Sequence, residues 1–85
     1  MATSLPASIT LAQFEQVDSL MSQLLRMGDF MSCADPRGYI RTSNVLLDTL
    51  YDVAGREWTD QFPDSLEAAA ALVAHGLLSA SFVEA

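Results

Sequence analysis

Lysine is absent from this 85-residue chain, and cysteine, histidine and tryptophan occur once each. Each scarcity closes a class of function. A single cysteine, Cys33, cannot form an intramolecular disulfide, and together with His75 it falls short of the three or four donors a metal site needs. There is no CxxC, no HExxH and no glycine-rich phosphate loop. Four arginines (Arg26, Arg37, Arg41 and Arg56) face eleven carboxylates, which leaves a net charge of −7 and a pI of about 4.1. Such a chain lacks the basic face that displaces counterions from nucleic acid, and it is repelled by anionic lipid. No apolar run approaches the ~20 residues of a membrane span. Residues 1–8 carry neither a basic segment nor an apolar stretch of the signal-peptide kind, so the cytoplasm is the expected compartment. Neither a cofactor nor a metal is expected.

What the chain does have is apolar content. Hydrophobic residues make up 51% of it, although a domain of this size buries only about 60–65% of its unfolded surface. Part of that apolar surface is therefore expected at an interface, with a homodimer as the simplest form. Twelve alanines and no lysine point to a GC-rich genome, bacterial or phage.

The apolar residues recur with a 3.6-residue period and nowhere alternate over a strand's length. The fold class read from this is all-α: a small three-helix bundle, or a helical hairpin plus a third helix. Residues 1–9 form a loose arm, 10–82 a single helical domain and 83–85 a frayed end. In the first helix Thr10 and Gln13 make a capping box, with Ile9 poised to staple onto Phe14. Phe14, Val17, Leu20, Met21, Leu24, Leu25, Met27 and Met31 fall in one arc, so the helix is expected to run through Gly28 to about Ser32, with Gly28 as a close-approach point. Asp35-Pro36-Arg37-Gly38 suits a type I turn, and residues 39–42 an extended connection.

Ser43 or Asn44 is then placed to cap a second helix. Its apolar face is Leu46, Leu47, Leu50, Tyr51, Val53 and Ala54, and its outer face holds Asp48, Asp52 and Arg56. Glu57 would fall in the apolar arc, which favours a break at Gly55 with Trp58 and Phe62 packing from a restarted turn. Asp64 and Glu67 offer a further capping box, so the third helix should begin near Ser65. Its expected stripe is Leu66, Ala69, Ala70, Val73, Gly76, Leu77 and Ala80, and the run of alanines at 68–71 makes it thin.

Few residues invite chemistry. Cys33 and His75 would form a nucleophilic pair only if folded within hydrogen-bonding reach, and a surface histidine beside an inert cysteine is the plainer reading. Asp48 and Asp52 lie one turn apart on an outward face. Two carboxylates can share acid–base work in a concave pocket, which a convex helix face does not provide. They can also dock a basic partner, or be merely solvated. Met21, Met27 and Met31 could grip another helix or fill the core. Trp58 could anchor an interface or plug the end of a bundle. Ser43-Asn44 ahead of an apolar helix hints at a helix-turn-helix, but the acidic outer face argues against insertion into a DNA groove.

The resulting expectation is a non-enzymatic, acidic protein–protein interaction module with no catalytic residues, a regulator or inhibitor of a basic or nucleic-acid-handling protein. A secretion-type or assembly chaperone is one alternative. An accessory enzyme subunit using Cys33 or the Asp48/Asp52 pair is another. Partner contacts are expected at Asp48, Asp52 and Trp58, with Tyr39 and Arg41 as a further contact region. Self-association is expected through Met21, Leu24, Met27 and Met31, or through Ala69 and Val73.

Overall fold

The computed structural model describes residues 9–79, and among them every regular element is helical. Helix α1 spans Leu11–Met27, α2 Pro36–Ala54, α3 Arg56–Thr59 and α4 Ser65–Ser79. The three long helices pack against one another, and the single turn α3 packs on α2. The expected all-α bundle is what the chain forms.

Helix α1 starts where its capping residues dictate. The Gln13 amide donates to Thr10 Oγ1 at 3.1 Å, and the Thr10 amide donates to Gln13 Oε1 at 2.9 Å. Two of the orphan donors at the helix start are thereby satisfied. Ile9, just ahead of the cap, is buried. The helix ends five residues earlier than expected. Gly28 has φ 83° and ψ −151°, a backbone region open almost only to glycine, and its amide turns back to the Leu25 carbonyl. Nothing lies within 4 Å of where a Cβ would stand, so Gly28 is a stop and not a close approach. The apolar arc continues through it only because Gly28 and Met31 happen to share the helical spacing.

Helix α2 starts earlier than expected, at Pro36. Asp35 Oδ1 accepts the Gly38 amide at 3.0 Å and the Asp35 carbonyl accepts the Tyr39 amide at 3.0 Å. Proline occupies the first helical position, where a missing N–H costs nothing. A type I turn and a first helical turn share nearly the same dihedrals, so Asp-Pro-Arg-Gly serves as both, and here the helix continues. Residues 39–42, expected to be extended, are helical. Their β-branched Ile40 and Thr42 do not prevent this, because the lower helix propensity of such residues is a small effect beside a capped start. Ser43 and Asn44 are thus interior residues and not caps, and the Ser43 hydroxyl meets that of Ser65 at 3.1 Å, tying α2 to the start of α4.

The break at Gly55 is present, with φ 85°. It releases the chain into α3, which returns Trp58 to the core. Trp58 is only 7% exposed, and its ring stands 4.8 Å from that of Phe62. The Thr59 hydroxyl donates to the carbonyls of Gly55 and Leu50, which fixes the bend. Asp64 caps α4 through the Glu67 amide at 2.8 Å.

The core consists of Ile9, Val17, Leu24, Leu46, Leu50, Val53, Ala54, Trp58, Ala68, Ala69 and Leu72. On α4 the buried face is Ser65, Ala68, Ala69 and Leu72, rotated from the expected stripe: Ala70 is exposed, and Leu66 and Val73 are half-buried. A helix apolar on nearly every side gives periodicity no face to choose. The two alanines at 0% exposure act as expected, letting α4 lie close to its neighbours. The surroundings of Gly76 and Leu77, Ala80 of the expected stripe, residues 1–8 of the expected arm and the expected frayed end at 83–85 lie outside the described residues.

Candidate functional site

Because α2 begins at Pro36, one of its outer faces carries a series that a turn at 35–38 and an extended connection at 39–42 would separate. Arg37, Arg41, Asn44, Asp48 and Asp52 follow one another at spacings of four, three, four and four. At 100° per residue they occupy an arc of about 80°, and all five are exposed. Ile40 and Val45, 49% and 44% exposed, flank that arc on either side. Among the described residues none of the four charged side chains makes an ion pair or a side-chain hydrogen bond.

The order of charge along the helix is the unusual feature. The positive end of a helix dipole is its N-terminus, where carboxylates are favoured, and cations are favoured at the C-terminus. Apart from the Asp35 cap, helix α2 has the reverse: no acidic residue in its first turn, no basic residue in its last, arginines in its first half and aspartates in its second. Arg41 and Arg37 are a like-charged pair one turn apart, as are Asp48 and Asp52, and each such pair is mildly unfavourable within an isolated helix.

Arg56 does not relieve this. Four residues beyond Asp52, it would pair with it on a continuous helix, but Gly55 ends α2 first and the Arg56 guanidinium lies over the Tyr51 ring, 4.6 Å from its centroid. The Tyr51 hydroxyl donates to Asp60 Oδ1 at 2.8 Å. That hydrogen bond raises the Tyr51 pKa above its ordinary value, with help from desolvation and the Asp60 charge, against a smaller opposing effect of Arg56. Arg56 and Asp60 are thereby engaged at the α2–α3 corner, leaving Asp48 and Asp52 unneutralised.

The other candidate residues fall elsewhere. Trp58 is in the core and presents almost no surface to a partner. Tyr39 is half-buried, its ring 5.5 Å from that of Phe30, while Arg41 is exposed on the α2 face. Leu24 and Ala69 are used up within the chain's own core, and Met21, Met27 and Val73 pack half-buried against it. Met31 is 86% exposed but lies beyond the end of α1, so the methionines and Leu24 do not form one continuous face.

Cys33 donates its thiol to the Phe30 carbonyl in the α1–α2 connection, and His75 is an exposed residue of α4; no hydrogen bond joins them. Among the described residues there is no cluster of three His, Cys, Asp or Glu side chains able to hold a metal ion, and no helix long and apolar enough to cross a membrane.

Sequence reasoning missed Arg37 as part of this surface. The available signal was the 4-3-4 spacing, which, followed backward from Asp52 and Asp48, passes through Asn44 and Arg41 to Arg37. No family model matches the chain, and neither a curated protein nor a solved structure does.

Proposed function

We propose that this protein is a small, non-enzymatic protein–protein interaction module that works through the outer face of α2, as a regulator or inhibitor of a protein with a basic surface. The carrying observation is that four exposed charges share one face, that the two nearest the helix ends, Arg37 and Asp52, oppose its dipole, and that none of the four has an ion-pair or side-chain hydrogen-bond partner among the described residues. Charges that cost the fold a little, and return nothing to it, have their use outside it. Asp48 and Asp52 are the half of the face that meets a basic target, in keeping with the −7 charge of the chain. With Trp58 in the core, the apolar contacts at this face fall to Ile40 and Val45.

The test begins with capture of the target from the native host on immobilised protein, followed by binding kinetics with the purified target. Asp48→Arg together with Asp52→Arg should slow association and flatten its salt dependence. Unchanged affinity in a folded double variant would remove α2 from the interface.

The assembly-chaperone reading has its own supporting observation. Leu25, Phe30 and Met31 expose apolar surface at and beyond the end of α1, at 59%, 38% and 86%. If that surface covers a partner's apolar segment, Met31→Ser with Leu25→Ser should abolish binding in a manner insensitive to salt, while the α2 variants leave it unchanged.

A further inference from the structure

We infer that the outer face of α2 is self-complementary and pairs antiparallel with α2 of a second copy of this chain. The inference rests on the reading of that face as the contact surface and names its first occupant. The register carries it. In an antiparallel pair of identical helices, residues i and j oppose one another when their mean position is the same for every pair. Arg37 with Asp52 and Arg41 with Asp48 both have their midpoint between Asn44 and Val45. One two-fold axis at that point therefore sets all four charged residues of each copy against an opposite charge of the other. Symmetry makes four arginine–aspartate pairs from two unique ones. A parallel pairing would set arginine on arginine and aspartate on aspartate, so the face selects orientation as well as partner.

Electrostatics beyond the pairs point the same way. Two copies of a chain with a net charge of −7 repel one another in general. The α2 face, with two arginines and two aspartates, is locally neutral and holds half of all the cations in the chain. Antiparallel helices also set the positive end of each dipole beside the negative end of the other. The charges that oppose the dipole of their own helix then match that of the partner: the arginines lie at the partner's C-terminal end, and the aspartates at its N-terminal end. Ile40 and Val45, on the flanks of the arc, supply apolar contact beside the charged strip.

The 19 residues of α2 are about 28 Å long, enough for one helix–helix contact and no more. Interfaces of that kind fall below about 1,200 Å² and are weak and transient. Because the pairs are at the surface, the dimer is salt-sensitive. Dimerisation covers Asp48 and Asp52, so a second copy and a basic target compete for one face.

Sedimentation equilibrium tests this on the full chain, from about 10 μM to 1 mM, the span over which weak interfaces populate. At low salt the wild type should approach dimer mass at the upper end and return to monomer at high salt. Arg37→Glu/Arg41→Glu and Asp48→Arg/Asp52→Arg should each weaken self-association at least tenfold. An equimolar mixture of the two should recover a heterodimer. The quadruple variant keeps the net charge of −7, restores opposite pairs at every position, and should dimerise again without joining the wild type. All substitutions are at exposed positions, and circular dichroism confirms that each variant folds.

A wild-type chain that stays monomeric throughout, or a dimer indifferent to both double variants, would overturn the inference. So would a mixture that stays monomeric when each variant is folded. The reading of α2 as a target surface is judged separately. Arg37→Glu/Arg41→Glu should release the dimer yet retain the basic target, whereas Asp48→Arg/Asp52→Arg should lose both. Target binding lost in the latter variant with a monomeric wild type would sink the dimer alone; a dimer that obeys the swaps while target binding ignores them would sink the target reading alone.

Discussion

Reversing the charges at the two ends of α2 should stabilise the protein. Arg37 is the second residue of the helix and Asp52 the third from its end, so both lie in the turns where the dipole acts. Arg37→Glu replaces an unfavourable charge with a favourable one, an effect of about 0.3–1 kcal/mol at an exposed site. It also replaces a like-charged pair with Arg41 by an acid-before-base pair one turn apart, adding about 0.2–0.5 kcal/mol. Asp52→Arg makes the mirror-image change at the other end, pairs with Asp48, and gains a few tenths of a kcal/mol in helix propensity. Taken near the low end for solvent exposure, the two together come to about 1–2 kcal/mol. For a domain of this size that is a rise of roughly 5–15 °C in melting temperature. The assay is thermal unfolding followed at 222 nm, at a concentration low enough to keep every species monomeric. In about 1 M salt, where the screening length is roughly 3 Å, all but the propensity gain should vanish. If both single variants are neutral or destabilising at low salt while α2 remains helical, its charges do not oppose the fold, and the observation behind the proposed function is lost.

The Asp35 cap supplies a sharper local test. Gly→Ala inside a helix ordinarily gains about 1 kcal/mol, but a Cβ at Gly38 would stand 2.8 Å from Asp35 Cγ and displace the capping carboxylate. Gly38→Ala should therefore be near neutral in urea unfolding, Asp35→Ala should cost about 1 kcal/mol, and Gly38→Ala added to Asp35→Ala should regain about 1 kcal/mol; additivity of the two single changes would refute the coupling. Trp58→Ala should cost about 3–5 kcal/mol by leaving a cavity beside Phe62, so urea titration should find the variant largely unfolded, and a well-folded variant with altered binding alone would return Trp58 to the interface. Tyr51 holds its proton more tightly folded than unfolded, so the stability it contributes is present below pH ~10 and lost as pH rises through the folded pKa. Asp60→Asn should bring the phenolate absorbance transition of Tyr51 down towards its ordinary pKa, and an unchanged titration would show that Asp60 is not the cause.

Local signals read well wherever a side chain fixed the backbone by itself. Thr10 with Gln13, Gly55, and Asp64 ahead of Ser65 each determine an element boundary through one or two hydrogen bonds or one backbone conformation, and each could be located from the sequence. The errors arose where one local pattern serves two structures. Gly28 sits in register with an apolar arc that continues past it, and spacing cannot distinguish a tolerated glycine from one at φ 83°. Asp35-Pro36-Arg37-Gly38 describes a turn and a helix start equally well, and only the packing of the following residues decides between them. On α4, apolar on nearly every side, burial is settled by what α1 and α2 leave open.

The α2 surface depended on the second of these ambiguities. While residues 35–38 are a turn and 39–42 a connection, Asp48 and Asp52 are two acids on a short helix and suggest only a basic partner. With the helix begun at Pro36, the same two acids become one half of a face whose other half is Arg37 and Arg41, and whose centre of symmetry lies between Asn44 and Val45. The start of one helix thus decides whether the face is acidic or self-complementary. Asp35, which fixes that start through the Gly38 amide, sets the register of the surface as well as the stability of the helix. Fraying the first turn in Asp35→Ala should accordingly weaken self-association through Arg37, leaving Arg41 and Asp48 at the axis in place.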